Sequence, residues 1–137
     1  MKRSAKAVWN GSIKEGSGTF GTGSGAIQNQ TYSFRTRFED APGTNPEELI
    51  AAAHASCFSM ALSAQLGERA ITPQSVETTS TITFENRTLT HSVLHTTVKA
   101  KGADRTKIEE AASAAKVGCP ISKVLKLEIT LELDIEV

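Results

Sequence analysis

Between Gly43 and Gly67 the chain reads Gly-Thr-Asn-Pro-Glu-Glu-Leu-Ile-Ala-Ala-Ala-His-Ala-Ser-Cys-Phe-Ser-Met-Ala-Leu-Ser-Ala-Gln-Leu-Gly, and this run predicts one long helix. Asn45 suits the cap, Pro46 the first helical position and Glu48 the third, where a carboxylate completes a capping box. The helix is expected from about Pro46 to about Leu66, with Gly67 ending it in the left-handed conformation. Steps of three and four from Cys57 gather Ile50, Ala53, His54, Met60, Ala61 and Ala64 onto one face, so a thiol sits mid-helix among small and apolar side chains. Leu49, Ile50, Phe58, Met60, Leu62 and Leu66, with alanines between them, run nearly all the way round. Such a helix must be covered on most sides. A single small sheet covers one of them, so the rest is expected from other helices or from a second copy of the chain. Ala53 and Ala61 are small enough to let another backbone come close, and a dimer is therefore expected.

The 137 residues, 39% of them hydrophobic, fit a single domain spanning 1–137 with a real core. Fifteen basic and fifteen acidic residues cancel and no block of like charge stands out, so neither nucleic acid nor a membrane surface is expected as a partner. The start, Met1-Lys2-Arg3-Ser4-Ala5-Lys6, is basic but no apolar run follows it, and no segment is expected to span a bilayer. The cytoplasm is the expected compartment. There, two cysteines are either buried thiols or a redox couple rather than a permanent staple.

Ala5 to Asn10 reads as a first strand, broken at Asn10-Gly11. In the glycine-rich run from Gly16 to Gly25, the spacing of Gly16, Gly18 and Gly21 matches a dinucleotide-binding fingerprint, but no helix pattern follows to receive a pyrophosphate. A flexible strand with bends is the better account. Thr31 to Glu39 alternates, with Tyr32, Phe34, Thr36 and Phe38 on one face and Ser33, Arg35 and Arg37 on the other, and is read as a strand whose polar face carries Arg37. Beyond the long helix, strands are expected at about Val76 to Phe84 and Thr90 to Ala100, joined through Glu85-Asn86-Arg87. Asp104 caps a helix to about Lys116, and Pro120 opens a short helix to about Leu125 with Cys119 at its cap. Leu127 to Val137 alternates without a break and is a strand with one apolar and one acidic face. The order implies α+β architecture with a mostly antiparallel sheet and a long central helix.

Two thiols permit a peroxide-reducing cycle, in which one thiolate becomes a sulfenic acid and the other converts it to a disulfide. Burial raises a thiol's pKa, so a cation must offset it if Cys57 is the nucleophile. Arg37 can bind a thiolate and a peroxide oxygen together, and Glu47 or Glu48 can hold its guanidinium. Cys119 at a helix start would also be acidic, so the residues alone leave the order of the thiols open. Ten residues separate Glu47 from Cys57, about 15 Å along one helix. Either Arg37 bridges part of that gap or the glutamate serves the partner chain's Cys57, the arrangement a dimer of antiparallel helices favours. A metal site using His54, Cys57, His91, His95 and Cys119 is the competing use, but no compact ligand pair anchors it. His54 is better read as a packed, hydrogen-bonded interior histidine, and Glu48 as helix N-terminal charge.

The segments Thr36-Arg37-Phe38-Glu39, Gly43 to Ile50, Ala52 to Leu62 and Gly118-Cys119-Pro120-Ile121-Ser122-Lys123-Val124-Leu125 resemble the bacterial osmotically inducible protein C (OsmC) family, over essentially the whole chain. The resemblance implies a thiol-dependent peroxidase that reduces organic hydroperoxides, and hydrogen peroxide more slowly, as an intertwined homodimer without a cofactor. It implies that Cys57 is the peroxidatic thiol, Cys119 the resolving thiol, Arg37 the activating arginine and Glu47 its carboxylate partner. A dithiol reductant, in the family a lipoyl-bearing protein, is implied as well. Arg37 in Thr-Arg-Phe-Glu, with His54 ahead of Cys57, resembles the osmotically inducible branch rather than the organic hydroperoxide resistance branch, whose arginine lies near the N-terminus. A redox-sensing or metal-binding stress protein without peroxidase turnover is the alternative.

Overall fold

The computed structural model describes all 137 residues, which form two compact units, Met1–Leu49 and Ile50–Val137. In the first, β1 (Ala5–Asn10), β2 (Ser17–Thr22) and β3 (Gln30–Tyr32) make an antiparallel sheet in that order. Trp9 and Tyr32 both lie opposite Gly18 in the strand register. Their rings meet with centroids 5.5 Å apart, and Phe20 closes on Tyr32 at 5.8 Å. A Cβ on Gly18 would come within 2.5 Å of the Tyr32 ring. The glycine spacing in this strand therefore makes room for an aromatic ring rather than for a phosphate.

The expected strand from Thr31 to Glu39 is corrected: β3 stops at Tyr32, and Phe34–Phe38 is a short helix, α1. Ser33 and Thr36 cap it reciprocally, the Ser33 hydroxyl accepting from the Thr36 N–H and the Thr36 hydroxyl accepting from the Ser33 N–H. Residues at i and i+4 then meet on its surface, Phe34 with Phe38 at 4.8 Å between ring centroids and Arg35 with Glu39 at 3.2 Å. Alternation at positions 34, 36 and 38 fits a strand, but the same residues satisfy a capping box and two helical pairs, and these local bonds win.

Helix α2 runs Pro46–Glu68. Asn45 caps it, its side-chain oxygen accepting from the Glu48 N–H at 2.8 Å. Its C-terminus corrects the expectation for Gly67, which lies inside the helix; Ala70 takes the left-handed conformation, with φ of 58°. The Ile71 N–H bonds to the Leu66 carbonyl and the Ala70 N–H to the Gly67 carbonyl, the pair of bonds that defines a Schellman stop. By length and composition α2 is long and apolar enough to cross a membrane, contrary to expectation. It is used as a core helix instead: His54, Phe58, Leu62 and Leu66, every fourth residue, are fully buried. Cys57 and Ala61 pack against that core, whereas Ala53, Met60 and Ala64, expected on the same face, are exposed.

In the second unit β4 (Ser75–Glu85), β5 (Thr88–Lys99) and β6 (Glu128–Glu136) form a sheet in that order. Asn86 and Arg87, both left-handed, make the two-residue turn between β4 and β5. Between β5 and β6 lie α3 (Arg105–Gly118), capped by Asp104, and α4 (Pro120–Val124). This crossover lets β6 run parallel to β5, while the other three strand pairs are antiparallel. The core joins Phe58, Leu62 and Leu66 of α2 to Leu94 and Val98 of β5 and to Ile108, Ala111, Ala112 and Ala115 of α3.

Gly67 has open space where a Cβ would stand and pays a helix-interior entropy cost, while Ala70 is strained. Gly67→Ala is expected to raise the unfolding free energy by about 0.5–1 kcal/mol. Ala70→Gly is expected to raise it by about 1 kcal/mol. Denaturant titration of the two variants checks both, and a loss of stability in Ala70→Gly would contradict the Schellman stop.

Candidate active site

The predicted site residues come together as two pairs. In the first unit, α1 presents Arg37 to Glu47 in the first turn of α2. Arg37 Nε donates to the two carboxylate oxygens at 3.2 and 3.3 Å and Nη2 donates to Oε1 at 2.8 Å. Asn45 sets this geometry, because its amide also donates to the Thr36 carbonyl at 3.2 Å while its oxygen caps α2. The Arg37 guanidinium lies over the Phe38 ring, 5.1 Å from the centroid. A fork-shaped cation held by a carboxylate and an aromatic face is oriented in a way a lysine would not be.

In the second unit the two thiols meet. Cys57 and Cys119 are both free, and their sulfurs are hydrogen-bonded at 3.0 Å. Cys119 stands where α3 ends and α4 begins. Its N–H bonds to the Ala115 carbonyl, and its own carbonyl accepts from the Lys123 N–H. Pro120 at the first position of α4 has no N–H, so the amides of Ile121 and Ser122 are the ones that turn toward the sulfur. Cys119 is fully buried, whereas Cys57 is partly open to solvent.

The surroundings push the two thiols in opposite directions. Burial pushes the Cys57 thiol up, the bond to Cys119 pushes it further, and the Ile121 N–H offsets only part of this. Burial also acts to raise Cys119. There the bonds from Cys57, from the N–H and hydroxyl of Ser122 and from the Ile121 N–H outweigh it, and the thiol lies below its ordinary value. The two sulfurs share one hydrogen bond, so the pair titrates as a unit in which each thiol's charge depends on the other's proton.

His54 is the interior histidine the sequence predicts, with a partner on each nitrogen. Nδ1 is 2.8 Å from the Ser92 hydroxyl and Nε2 is 2.8 Å from the Ser122 hydroxyl. Ser92 in turn meets Ser80 at 3.1 Å. Sequence reasoning missed these serines. Ser122 stands three residues after Cys119, the spacing at which a short helix brings a hydroxyl back to its cap, and that was the available signal. His91 meets Thr130 and His95 meets Asp134, and no cluster of three or more metal-ligating side chains exists.

The model of the OsmC-like protein family matches residues 38–134. The chain belongs to the OsmC family. It is 46% identical to peroxiredoxin OsmC of Escherichia coli strain K12 over an alignment of 140 positions covering 99% of this chain and 98% of that protein. Identity to the organic hydroperoxide resistance protein OhrB of Bacillus subtilis strain 168 is 30% over 105 residues, with 72% and 74% covered. The OsmC branch of the family is thus the one to which the chain belongs. Among solved structures, the OsmC-like protein from Mycoplasma pneumoniae has a similar fold, with a TM-score of 0.77 and 18% identity over 100% of this chain and 99% of that one.

Burial holds His54 below the ordinary histidine pKa of 6.5. The unfolded chain therefore takes up this proton first, and the stability that the neutral ring provides is full above about pH 6.5 and is lost as pH falls below it. Denaturant unfolding at about pH 7.5 and about pH 5.5 is expected to show a larger acid loss in the wild type than in His54→Gln. Equal losses would show that His54 is not held neutral.

Proposed function

We propose that the chain is a cysteine-based peroxidase acting on organic hydroperoxides, and on hydrogen peroxide more slowly, with Cys57 as the peroxidatic and Cys119 as the resolving thiol. The single observation that carries this reading is the sulfur pair: two free thiols 3.0 Å apart, of which only Cys57 is open to solvent. A peroxide has to touch its nucleophile, and Cys119 is out of reach. Membership of the OsmC family and 46% identity to peroxiredoxin OsmC support the same chemistry.

The cycle balances with these two residues. The Cys57 sulfur attacks a peroxide oxygen, an S–O bond forms, the O–O bond breaks, and the alkoxide leaves as alcohol after taking a proton. Cys119 as thiolate then attacks the sulfur of the Cys57 sulfenic acid, an S–S bond forms, the S–O bond breaks, and the hydroxide takes a proton from solvent and leaves as water. The sulfurs need close by only about 1 Å to reach the ~2.05 Å of a disulfide. Arg37 is proposed to draw the shared negative charge onto Cys57 and to orient the peroxide, and Glu47 to hold Arg37. A dithiol reductant, in this reading a lipoylated protein, returns the disulfide to thiols.

A homodimer belongs to the same proposal. The exposed side of α2 between Glu48 and Glu68 carries Ala52, Ala53, Ser56, Met60, Ser63, Ala64 and Gly67 and no charge, a surface suited to a second copy. The whole chain is proposed to act as one OsmC-like domain in the cytoplasm. Light scattering is expected to return twice the chain mass, and a mass of one chain would count against the dimer.

Intact mass and thiol counting after one equivalent of cumene hydroperoxide test the chemistry. The wild type is expected to lose two hydrogens as a Cys57–Cys119 disulfide, Cys119→Ser to stop at oxidised Cys57, and Cys57→Ser to remain unreacted. Arg37→Lys and Glu47→Gln are each expected to slow the loss of peroxide. Two untouched thiols in the wild type would sink the peroxidase reading.

A further inference from the structure

Cys119 caps a helix that has little of its own to hold it in place. Helix α4 has five residues, too few to be stable by themselves, and none of them is buried. Pro120, Lys123 and Val124 are exposed, and Ile121 is the residue that packs against the core. Among the side chains of α4, Ser122 alone is hydrogen-bonded to another helix or strand, its hydroxyl lying 2.8 Å from His54 Nε2. His54 is fully buried on α2, and its other nitrogen is anchored to the sheet through Ser92, which meets Ser80 at 3.1 Å. Two bridges therefore join α2 to the α4 segment: Cys57 to Cys119 at 3.0 Å, and His54 to Ser122 at 2.8 Å. On each side their members stand three residues apart, so the bridges are spaced by about one helical turn.

The two bridges do not pass through the reaction alike. Once the Cys57 sulfur has taken an oxygen from a peroxide, the bond between two thiols no longer exists, whereas neither His54 nor Ser122 has changed. While Cys57 is a sulfenic acid, the His54–Ser122 bond is thus the polar tie that keeps α4 on α2. That interval decides the fate of the sulfur. If Cys119 attacks it, an S–S bond forms, the S–O bond breaks, and hydroxide takes a proton and leaves as water. If a second peroxide arrives first, a further S–O bond forms, the O–O bond breaks, the alcohol leaves, and Cys57 ends as sulfinic acid. The first path is intramolecular and follows how often Cys119 is within reach, while the second follows the peroxide concentration.

We propose that the His54–Ser122 hydrogen bond is a clamp that holds α4, and with it Cys119, within reach of Cys57 after Cys57 has been oxidised, and so protects Cys57 from over-oxidation. His54 and Ser122 are positioning residues in this role, acting through the place of a backbone segment and touching neither peroxide nor the new S–S bond. The proposal deepens the peroxidase reading and rests on it for the order of the two thiols. Its consequence is a chain that completes its disulfide in preference to sulfinic acid because the two sulfurs start in contact and α4 is not released between the steps.

Two readouts on the full chain test this. The first is the cumene hydroperoxide concentration at which half of Cys57 ends as sulfinic acid and half as disulfide in a single turnover without reductant, read by intact mass. Ser122→Ala is expected to lower that concentration about two- to tenfold, the range set by the net contribution of one hydrogen bond. Ser122→Thr, which keeps the hydroxyl, is expected to restore it. This midpoint compares two fates of one sulfenic acid, so neither a smaller folded fraction nor a slower first attack moves it. Where Ser122→Ala folds poorly, His54→Leu combined with Ser122→Ala removes both partners, leaves neither unpaired, and is expected to show the same fall. The second readout is the equilibrium with reduced and oxidised dithiothreitol, in which the ratio of disulfide to dithiol is expected to fall in Ser122→Ala and to recover in Ser122→Thr. A midpoint equal to that of the wild type in Ser122→Ala or in the double variant, or one that Ser122→Thr fails to restore, would overturn the clamp. Wild-type thiols untouched by peroxide would overturn the peroxidase reading instead, and the dithiothreitol equilibrium, which needs no peroxide, would then decide the clamp by itself.

Discussion

The line His54, Phe58, Leu62 and Leu66 along α2 is the constraint from which the second unit is built. Burying a side chain such as phenylalanine or leucine contributes about 1.5–3 kcal/mol. An imidazole left without partners in the same line would cost about 1–3 kcal/mol. His54 can occupy a core position only because a hydroxyl reaches each of its nitrogens, and this ties Ser92 of β5 and Ser122 of α4 to one point on the helix. Cys57, three residues on, is turned slightly out of the line. It keeps core contact and solvent contact together, the combination a thiol needs to meet both a buried partner and an incoming substrate.

The break between α3 and α4 serves the same point from the other side. Proline at the start of α4 stops α3, contributes no amide of its own, and leaves the following amides free to serve the Cys119 sulfur. The lower pKa of Cys119 is therefore produced by named hydrogen bonds in a buried place, without a charged side chain among its causes. In the first unit the arginine is handled differently, since Arg37 is oriented by a two-oxygen carboxylate and by the Phe38 ring.

Much of this was legible beforehand, and the failures are instructive. Asn45, Asp104 and Pro120 marked helix starts because capping is a bond between neighbours in sequence. The stretch from Phe34 to Phe38 misled because its aromatic spacing serves both a period of two and an i, i+4 pair, and the Ser33–Thr36 capping box decided between them. Gly67 misled for a related reason: glycine is the usual left-handed stop, yet the stop geometry formed three residues later with Ala70, where the Leu66 carbonyl could receive the Ile71 N–H.

By itself the sequence determined the elements: a long apolar helix starting at Pro46, an alternating last strand, and two cysteines on separate helical segments, all properties of residues within a few positions of each other. It also carried the family, through residues around both thiols. Only the tertiary structure decided which distant groups meet. Cys57 finds Cys119 62 positions away, and His54 finds Ser92 and Ser122 at separations of 38 and 68. β6 lies parallel to β5 because the α3–α4 crossover returns it in that direction. Periodicity records which face a residue takes on its own element. The charge on a sulfur depends on what packs against that face, and that is settled when separate elements share one core.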